Sequence, residues 1–179
     1  MTSHEHTSTE KKLNELYELI DDMEIALMTT RRPDGQLVTR PMATQEHGRL
    51  GDLWFVTNIE THKVDELEAD PNVCLGYYDD GSKEWVSVSG TARVSQDRKR
   101  IRELYAPDWK AWFGDEGGAR DGGPDDPRLA LIVVDAHTVT YMKSKHSKPR
   151  VLFELAKGMV TGERAELGRE ERLSRAELR

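Results

Sequence analysis

Residues 37–63 constrain the fold most, because they predict two strands that run directly into the start of a helix. Residues 37–46 contain β-branched side chains, and residues 53–58 are dense in aromatic and β-branched side chains, as strands prefer. A Gly-rich sequence between them is typical of a turn. Thr61 then occupies an N-cap position, and Lys63 falls in the first helical turn. The segment therefore predicts a β-hairpin whose second strand leads into a helix.

The start of this predicted helix has the composition of an anion site. The free N–H groups of a first helical turn attract negative charge. Thr61 and Lys63 would add a hydroxyl and an ammonium group, and such a set can hold a phosphate dianion. The alternative interpretation is an ordinary helix cap, since Thr is a common N-cap residue in helices of every function.

The other β-rich segments predict strands joined by short turns. Residues 25–30 and 73–78 read as strands, and the turn-forming sequences RPDG and DDGS follow them. Residues 84–95 alternate strictly, so Val86 and every second residue after it would face a core. Trp85, Ser87 and their alternate neighbours would face the other way. That second face is small and hydroxylated, and it would contact solvent, a ligand or a partner chain.

The remaining segments predict peripheral helices and the last strands. Helices are expected at 11–23, at 96–105 behind an N-cap at Ser95, and at the aromatic segment 108–113. Residues 114–127 form a loop rich in Gly, Asp and Pro, residues 128–136 and 138–142 form strands interrupted at His137, and residues 151–160 are amphipathic. Six or seven strands linked mostly by short turns predict a mainly β fold with α-helices, namely an antiparallel barrel with the helices outside.

The chain divides into one predicted domain and two tails. Residues 1–10 are polar and predicted to be disordered, residues 11–160 form the domain, and residues 161–179 form a charged tail that is a solvated helix or disordered.

Charge and composition exclude several function classes. The chain has 26 Lys and Arg against 33 Asp and Glu, a net charge of −7, which argues against a nucleic-acid surface. No apolar run approaches the roughly 18 residues that span a bilayer, and the N-terminus has no apolar signal region. The single cysteine, Cys74, and the scattered histidines do not have the spacing of a metal site. These features predict a cytoplasmic protein without a membrane, nucleic-acid or metal partner.

Four short motifs occur in the order found in a known family. They are TRPM at residues 39–42, WFVTN at 54–58, ETHK at 60–63 and VSVSGTARV at 86–94. This ordered set resembles the flavin-binding core of the pyridoxamine 5'-phosphate oxidase-like split-barrel family, and in particular its general stress protein branch. The resemblance covers residues 13–142. It implies an antiparallel split β-barrel with peripheral helices, in agreement with the strand pattern.

The resemblance also implies a cofactor and its place. The cofactor would be FMN, or alternatively FAD or a deazaflavin, at the interface of a homodimer that contributes residues from both chains. Arg40 and Met42 would flank the ring, and Lys63 would hold the phosphate. Electrons would pass through the ring, so no side-chain nucleophile is needed. The complete implied cofactor-binding set is Arg40, Pro41, Met42, Val56, Thr57, Asn58, Thr61, His62, Lys63, Trp85 and Ser87.

Three positions depart from the pattern of the pyridoxamine-phosphate oxidases themselves. Gln45 stands where those enzymes have a lysine that meets the substrate phosphate, and Trp85 stands where they have a flavin-contacting glutamine. Pro41 removes a backbone donor from the ring-binding segment. Oxidation of pyridoxamine phosphate is therefore not expected.

Three functions remain open from the sequence. The first is an FMN-dependent oxidoreductase acting on a small molecule or on NAD(P)H. The second is a non-catalytic flavin-binding stress protein, and the third is a deazaflavin-dependent reductase of the same fold.

Overall fold

Seven strands and five helices make up the part of the chain that the computed structural model describes, namely residues 8–47, 52–144, 148–162, 164–165 and 167–179. The strands are β1 (Ile25–Arg31), β2 (Leu37–His47), β3 (Asp52–Asn58), β4 (Asn72–Tyr78), β5 (Trp85–Ser95), β6 (Leu129–Ser144) and β7 (Gly168–Ser174). The helices are α1 (Thr9–Met23), α2 (His62–Ala69), α3 (Arg98–Leu104), α4 (Trp109–Phe113) and α5 (Lys148–Thr161).

Six of these strands close into an antiparallel barrel. The sheet order is β3-β2-β1-β4-β5-β6-β7, and β3 also pairs with β6, which joins the two sides of the sheet. The long strand β6 makes this possible, because one of its edges pairs with β5 while the other pairs first with β3 and then with β7. The predicted antiparallel barrel with helices outside is confirmed.

The core lies inside the barrel and follows from strict alternation along the strands. In β5, Val86, Val88 and Ala92 are buried, whereas Ser89 and Arg93 on the other face are exposed, as the sequence pattern predicts. Helix α1 extends this core with the buried side chains of Leu16, Leu19 and Ile20. A second apolar cluster, formed by Ile101, Trp109, Leu129 and Leu131, holds α3 and α4 against the outside of the barrel.

The structure corrects the predicted break at His137. Strand β6 continues through this residue, because the register with β5 shifts between Ser89 and Gly90. Ser89 pairs with Thr138 and Gly90 pairs with Ala136, so His137 has no partner opposite it in β5. A β-bulge thus absorbs the residue that interrupts the apolar pattern.

The predicted charged tail at 161–179 is also corrected. Residues Gly168–Ser174 form β7, which pairs along β6, and both Leu173 and Leu178 are buried. Most of their neighbours are charged or polar, so no local apolar pattern predicts that the two leucines are buried. Their burial follows from the pairing of β7 with the free edge of β6. Residues 168–178 therefore pack on the barrel instead of forming a solvated tail.

Two helices start at other residues than predicted. Asp97, not Ser95, caps α3, because its carboxylate accepts from the N–H groups of Lys99 and Arg100. Ser8 caps α1. The first seven residues of the predicted N-terminal tail, and the turn glycines Gly48 and Gly51, lie outside the described residues.

The backbone at the bulge leaves no space for a side chain at Gly90. A Cβ atom there would lie 2.2 Å from the carbonyl oxygen of Asp135. Gly90→Ala should therefore lower the free energy of unfolding by about 1–3 kcal/mol or more, the usual cost of overpacking. Gly76→Ala is the matched control, since a Cβ at Gly76 would meet nothing within 4 Å. Urea unfolding of both variants checks this, and equal stability of the two would contradict it.

Among the described helices, none combines the length and the apolar character that crossing a bilayer requires.

Candidate functional site

The barrel has a gap between β2 and β3. Strand β2 pairs with β3 only from Thr44 to His47, with a register shift at Gln45. Strand β3 continues to Asn58 with partners on β6 alone. The strand register therefore leaves residues 37–43 of β2 without a strand partner on the side facing β3. Apart from the carbonyl oxygen of Ala43, which accepts from the Gln45 side chain, their backbone groups on that side are available to another partner.

Helix α2 starts at one end of this gap. Thr61 is its N-cap residue, as predicted, but its hydroxyl does not cap the helix. The hydroxyl instead donates to the carbonyl oxygen of Asn58 at 2.8 Å, while the side-chain oxygen of Asn58 accepts from the N–H of Glu60 at 2.8 Å. These bonds fix the turn at 58–61, called the β3–α2 turn below. The first N–H groups of α2 do not donate to the Thr61 side chain, so they can donate to an anion.

Arg40 points from β2 toward α2 and joins a buried polar network. Its guanidinium donates to Thr30 Oγ1 at 2.8 Å and to Glu66 Oε2 at 2.7 Å, and the Thr30 hydroxyl donates to the same Glu66 oxygen at 2.6 Å. Burial acts to raise the pKa of Glu66, but the hydrogen bonds from Thr30 and Arg40 outweigh it and lower that pKa. Glu66 is therefore a carboxylate at neutral pH and fixes the orientation of Arg40.

Lys63 brings a second positive charge to the same place. Its ammonium donates to the hydroxyl of Thr57 at 3.1 Å. Burial lowers the pKa of Lys63, the positive charge of Arg40 lowers it further, and only Glu66 opposes this. Arg40 is paired with Glu66, whereas Lys63 bonds to a neutral hydroxyl, so the two cations leave an excess of one positive charge. An anion bound between them would relieve their repulsion.

Several predicted residues lie on this gap but differ in what they can offer. Thr57 is buried inside the barrel beside Lys63. The side chain of Met42 belongs to the core, so a flavin contact there would come from its backbone. Val56 packs outside the barrel on the second apolar cluster, Pro41 is exposed, and the side chain of His62 projects into solvent at 99% exposure.

Trp85 and Ser87 do not reach the gap within one chain. They lie on β5 with side chains on the outer face. Three strands (β4, β1 and β2) separate β5 from the gap in one direction around the barrel, and two (β6 and β3) in the other. The alternating pattern predicts their outward direction, but not their place on the opposite side of the closed barrel.

Gln45 sits at the bulge that ends the gap, and both the nitrogen and the oxygen of its amide form hydrogen bonds. Its nitrogen donates to the carbonyl oxygen of Ala43 at 3.0 Å, and its oxygen accepts from the indole N–H of the buried Trp109 at 2.8 Å. A lysine could not accept this indole bond. The departure at this position therefore serves to attach α4 to the barrel.

Two cavities adjoin these elements. One of about 400 Å³ opens on the outer face of β1, β4 and β5, includes Cys74 and His137, and shares Thr30 with the Arg40 network. Another of about 360 Å³ lies at the other end of the gap, where Ala43, Gln45 and Asp108 line it. The second cavity gives a small molecule access to the unpaired stretch of β2.

Sequence reasoning missed Thr30 and Glu66. Glu66 stands among charged residues of a short helix, and nothing in that pattern distinguishes it from its exposed neighbours Asp65 and Glu68. Its burial arises because α2 packs over the end of the barrel near β1. The alternation in β1 does place Thr30 inward, which was the one available signal.

Comparison with known proteins gives concordant results. The sequence profile of the family described as "Pyridoxamine 5'-phosphate oxidase like" matches residues 11–166. Protein bli-3 of Neurospora crassa is 36% identical over 173 residues, which cover 94% of this chain and 82% of that protein.

Two solved structures share the fold. A Clostridium acetobutylicum protein related to general stress protein 26 superposes with a TM-score of 0.68 at 20% identity, covering 95% of this chain and 99% of the other. The general stress FMN/FAD binding protein of Xanthomonas citri has a TM-score of 0.56 at 26% identity, covering 68% of this chain and 81% of the other.

Proposed function

The chain belongs to the pyridoxamine 5'-phosphate oxidase-like family, and on that premise we propose that it binds FMN in the gap between β2 and β3 and transfers electrons through the flavin ring. The observation that carries this proposal is the convergence of Arg40 and Lys63 at the start of α2. Their excess positive charge and the free N–H groups of the helix suit a phosphate group. The unpaired backbone of β2 would contact the ring along its hydrogen-bonding edge.

FMN is favoured among the flavins because the excess positive charge of the proposed anion site is small. The site has two cations and one carboxylate, which matches a single terminal phosphate. The Xanthomonas citri relative is described as binding FMN or FAD, so FAD is the nearest alternative. A deazaflavin is the third.

The proposed chemistry needs no nucleophile from the protein. The flavin supplies reversible hydride or electron-pair transfer when bound. The chain's own residues would hold the phosphate, orient the ring along β2 and limit access through the cavity beside Gln45. The same site would serve a flavin-binding stress protein without turnover, the second candidate, which the similarity to the general stress FMN/FAD binding protein of Xanthomonas citri favours.

Spectroscopy and one assay test the proposal together. FMN added to the purified protein should bind, and its flavin absorbance at about 450 nm should shift. A protein purified with a deazaflavin would instead absorb at about 420 nm. Oxidation of NAD(P)H in the presence of bound FMN would support an oxidoreductase. Binding without oxidation would favour the non-catalytic candidate, and failure to bind any flavin would refute the proposal.

Pyridoxamine phosphate is not the proposed substrate. Gln45 is neutral, and both ends of its amide are already bonded to Ala43 and Trp109. It therefore offers no positive charge to a substrate phosphate.

We further propose a homodimer with the flavin at the interface. The placement of Trp85 and Ser87 opposite the gap supports it, because only a partner chain could bring such residues to the ligand. Exposed apolar side chains also support a covered surface, and they include Leu27 on the outer face of β1 and Phe153 on α5. Light scattering should give twice the chain mass of 20.4 kDa. A monomer with flavin bound would contradict the dimer.

A further inference from the structure

The loop at 114–127 is fastened to the barrel by Arg128. The guanidinium of this buried residue donates to the carbonyl oxygens of Phe113 at 2.8 Å, Gly114 at 3.0 Å and Arg120 at 3.1 Å. These three bonds set both ends of the loop segment that carries Arg120. The position of Arg120 is therefore fixed by the fold, although the sequence of the loop predicts no regular structure.

Arg120 reaches from this loop to the β3–α2 turn. Its two terminal nitrogens donate to the two carboxylate oxygens of Glu60 at 2.7 and 2.9 Å, and its Nε donates to Glu116 at 2.6 Å. The hydrogen bond from Arg120 is the main cause that lowers the pKa of Glu60, so Glu60 is charged at neutral pH. Glu60 immediately precedes Thr61, the N-cap of α2.

We propose that Arg120 is a positioning residue of the flavin-phosphate site, which it serves by neutralising Glu60. This inference rests on the proposed function. Glu60 puts a carboxylate directly beside the helix start at which the phosphate would bind, and an uncompensated carboxylate there repels a dianion. The bidentate pair with Arg120 offsets that charge. The loop thereby has a role in cofactor affinity without touching the cofactor.

Three variants separate this role from simple loop stability. Arg120→Gln exposes the charge of Glu60 and should raise the dissociation constant for FMN by about 5- to 10-fold, with the defect shrinking at high salt. Riboflavin, which lacks the phosphate, should change by less than about 2-fold. Glu60→Gln should bind FMN at least as well as wild type, and Glu60→Gln with Arg120→Gln should return FMN affinity to within about 2-fold of wild type.

A matched control is available on the same loop. Arg102 donates to Asp125 at 2.8 Å and so ties the loop to α3 instead of to the β3–α2 turn. Arg102→Gln should leave FMN affinity unchanged. Flavin fluorescence titration at low and high salt, with thermal melting of each variant, provides the measurements.

The outcomes distinguish this inference from the function on which it rests. Equal losses for FMN and riboflavin, the same loss in Arg102→Gln, or no rescue in the double variant would each overturn the role of Arg120. Wild-type binding of FMN with unchanged affinity in Arg120→Gln would overturn this inference alone. Wild-type protein that binds neither flavin would overturn the proposed function and this inference with it.

Discussion

Lys63→Ala should weaken FMN binding by about 2–3 kcal/mol, roughly 30- to 150-fold, and leave riboflavin binding nearly unchanged. The substitution removes a charge-assisted bond from a phosphate dianion. It also removes one of the two cations that meet at the start of α2. Within the protein, the substitution breaks only one ordinary hydrogen bond, from Lys63 to the neutral hydroxyl of Thr57. Titration of both flavins by fluorescence measures the difference.

Two further variants control this result. Lys99 occupies the second position of α3, as Lys63 does in α2, but is exposed, so Lys99→Ala should leave FMN affinity unchanged. Thr61→Ala should cost about 1 kcal/mol, because the hydroxyl that fixes the turn through Asn58 is neutral. Alanine is well tolerated in a first helical turn, so loss of folding is not expected. Equal losses for FMN and riboflavin would place the anion site elsewhere.

Asp126→Ala should lower the free energy of unfolding by about 3–5 kcal/mol, because it removes the buried counter-ion of Arg128 and leaves this buried charge only the half-exposed carboxylate of Glu116. Asp126 is 0% exposed and Arg128 is 2% exposed, and their carboxylate and guanidinium meet at 2.7 Å. The carboxylate also accepts from the N–H groups of Gly122 and Arg128, both at 2.8 Å. Asp125→Ala is the matched control, since its neighbouring carboxylate is 70% exposed and should matter little.

The effect of Asp126 should depend on pH. Hydrogen bonding from Arg128 is the main cause that holds the pKa of Asp126 well below its ordinary value, against the opposing effect of burial. A carboxylate with a lowered pKa in the folded state stabilises the fold fully above the pKa of the unfolded chain, and this contribution is lost as pH falls through the folded pKa. Urea unfolding at pH 7 and through the acid range should show the gap between wild type and Asp126→Ala narrowing. A constant gap, or a gap below about 1 kcal/mol at pH 7, would contradict the prediction.

The sequence by itself determined the strands of the barrel and the start of helix α2. The period-two pattern of residues 85–95 assigns each side chain to a face whatever its neighbours are, and the structure confirms it. The helix start after β3 is equally local, because an N-cap residue followed by helix formers acts within one turn, and α2 begins at His62 as predicted.

Only the tertiary structure decided which residues meet at the site. Glu66 joins Arg40 across 26 positions of the chain, and Arg120 joins Glu60 across 60, and no local pattern encodes either pair. The strand formed by Gly168–Ser174 has few apolar residues and exists because the long β6 offers it a free edge. Trp85 has the outward direction that its sequence predicts, but closure of the barrel places it opposite the gap. Backbone periodicity acts over a few residues and is written locally, whereas pairing across the barrel depends on which strands become neighbours when the sheet closes.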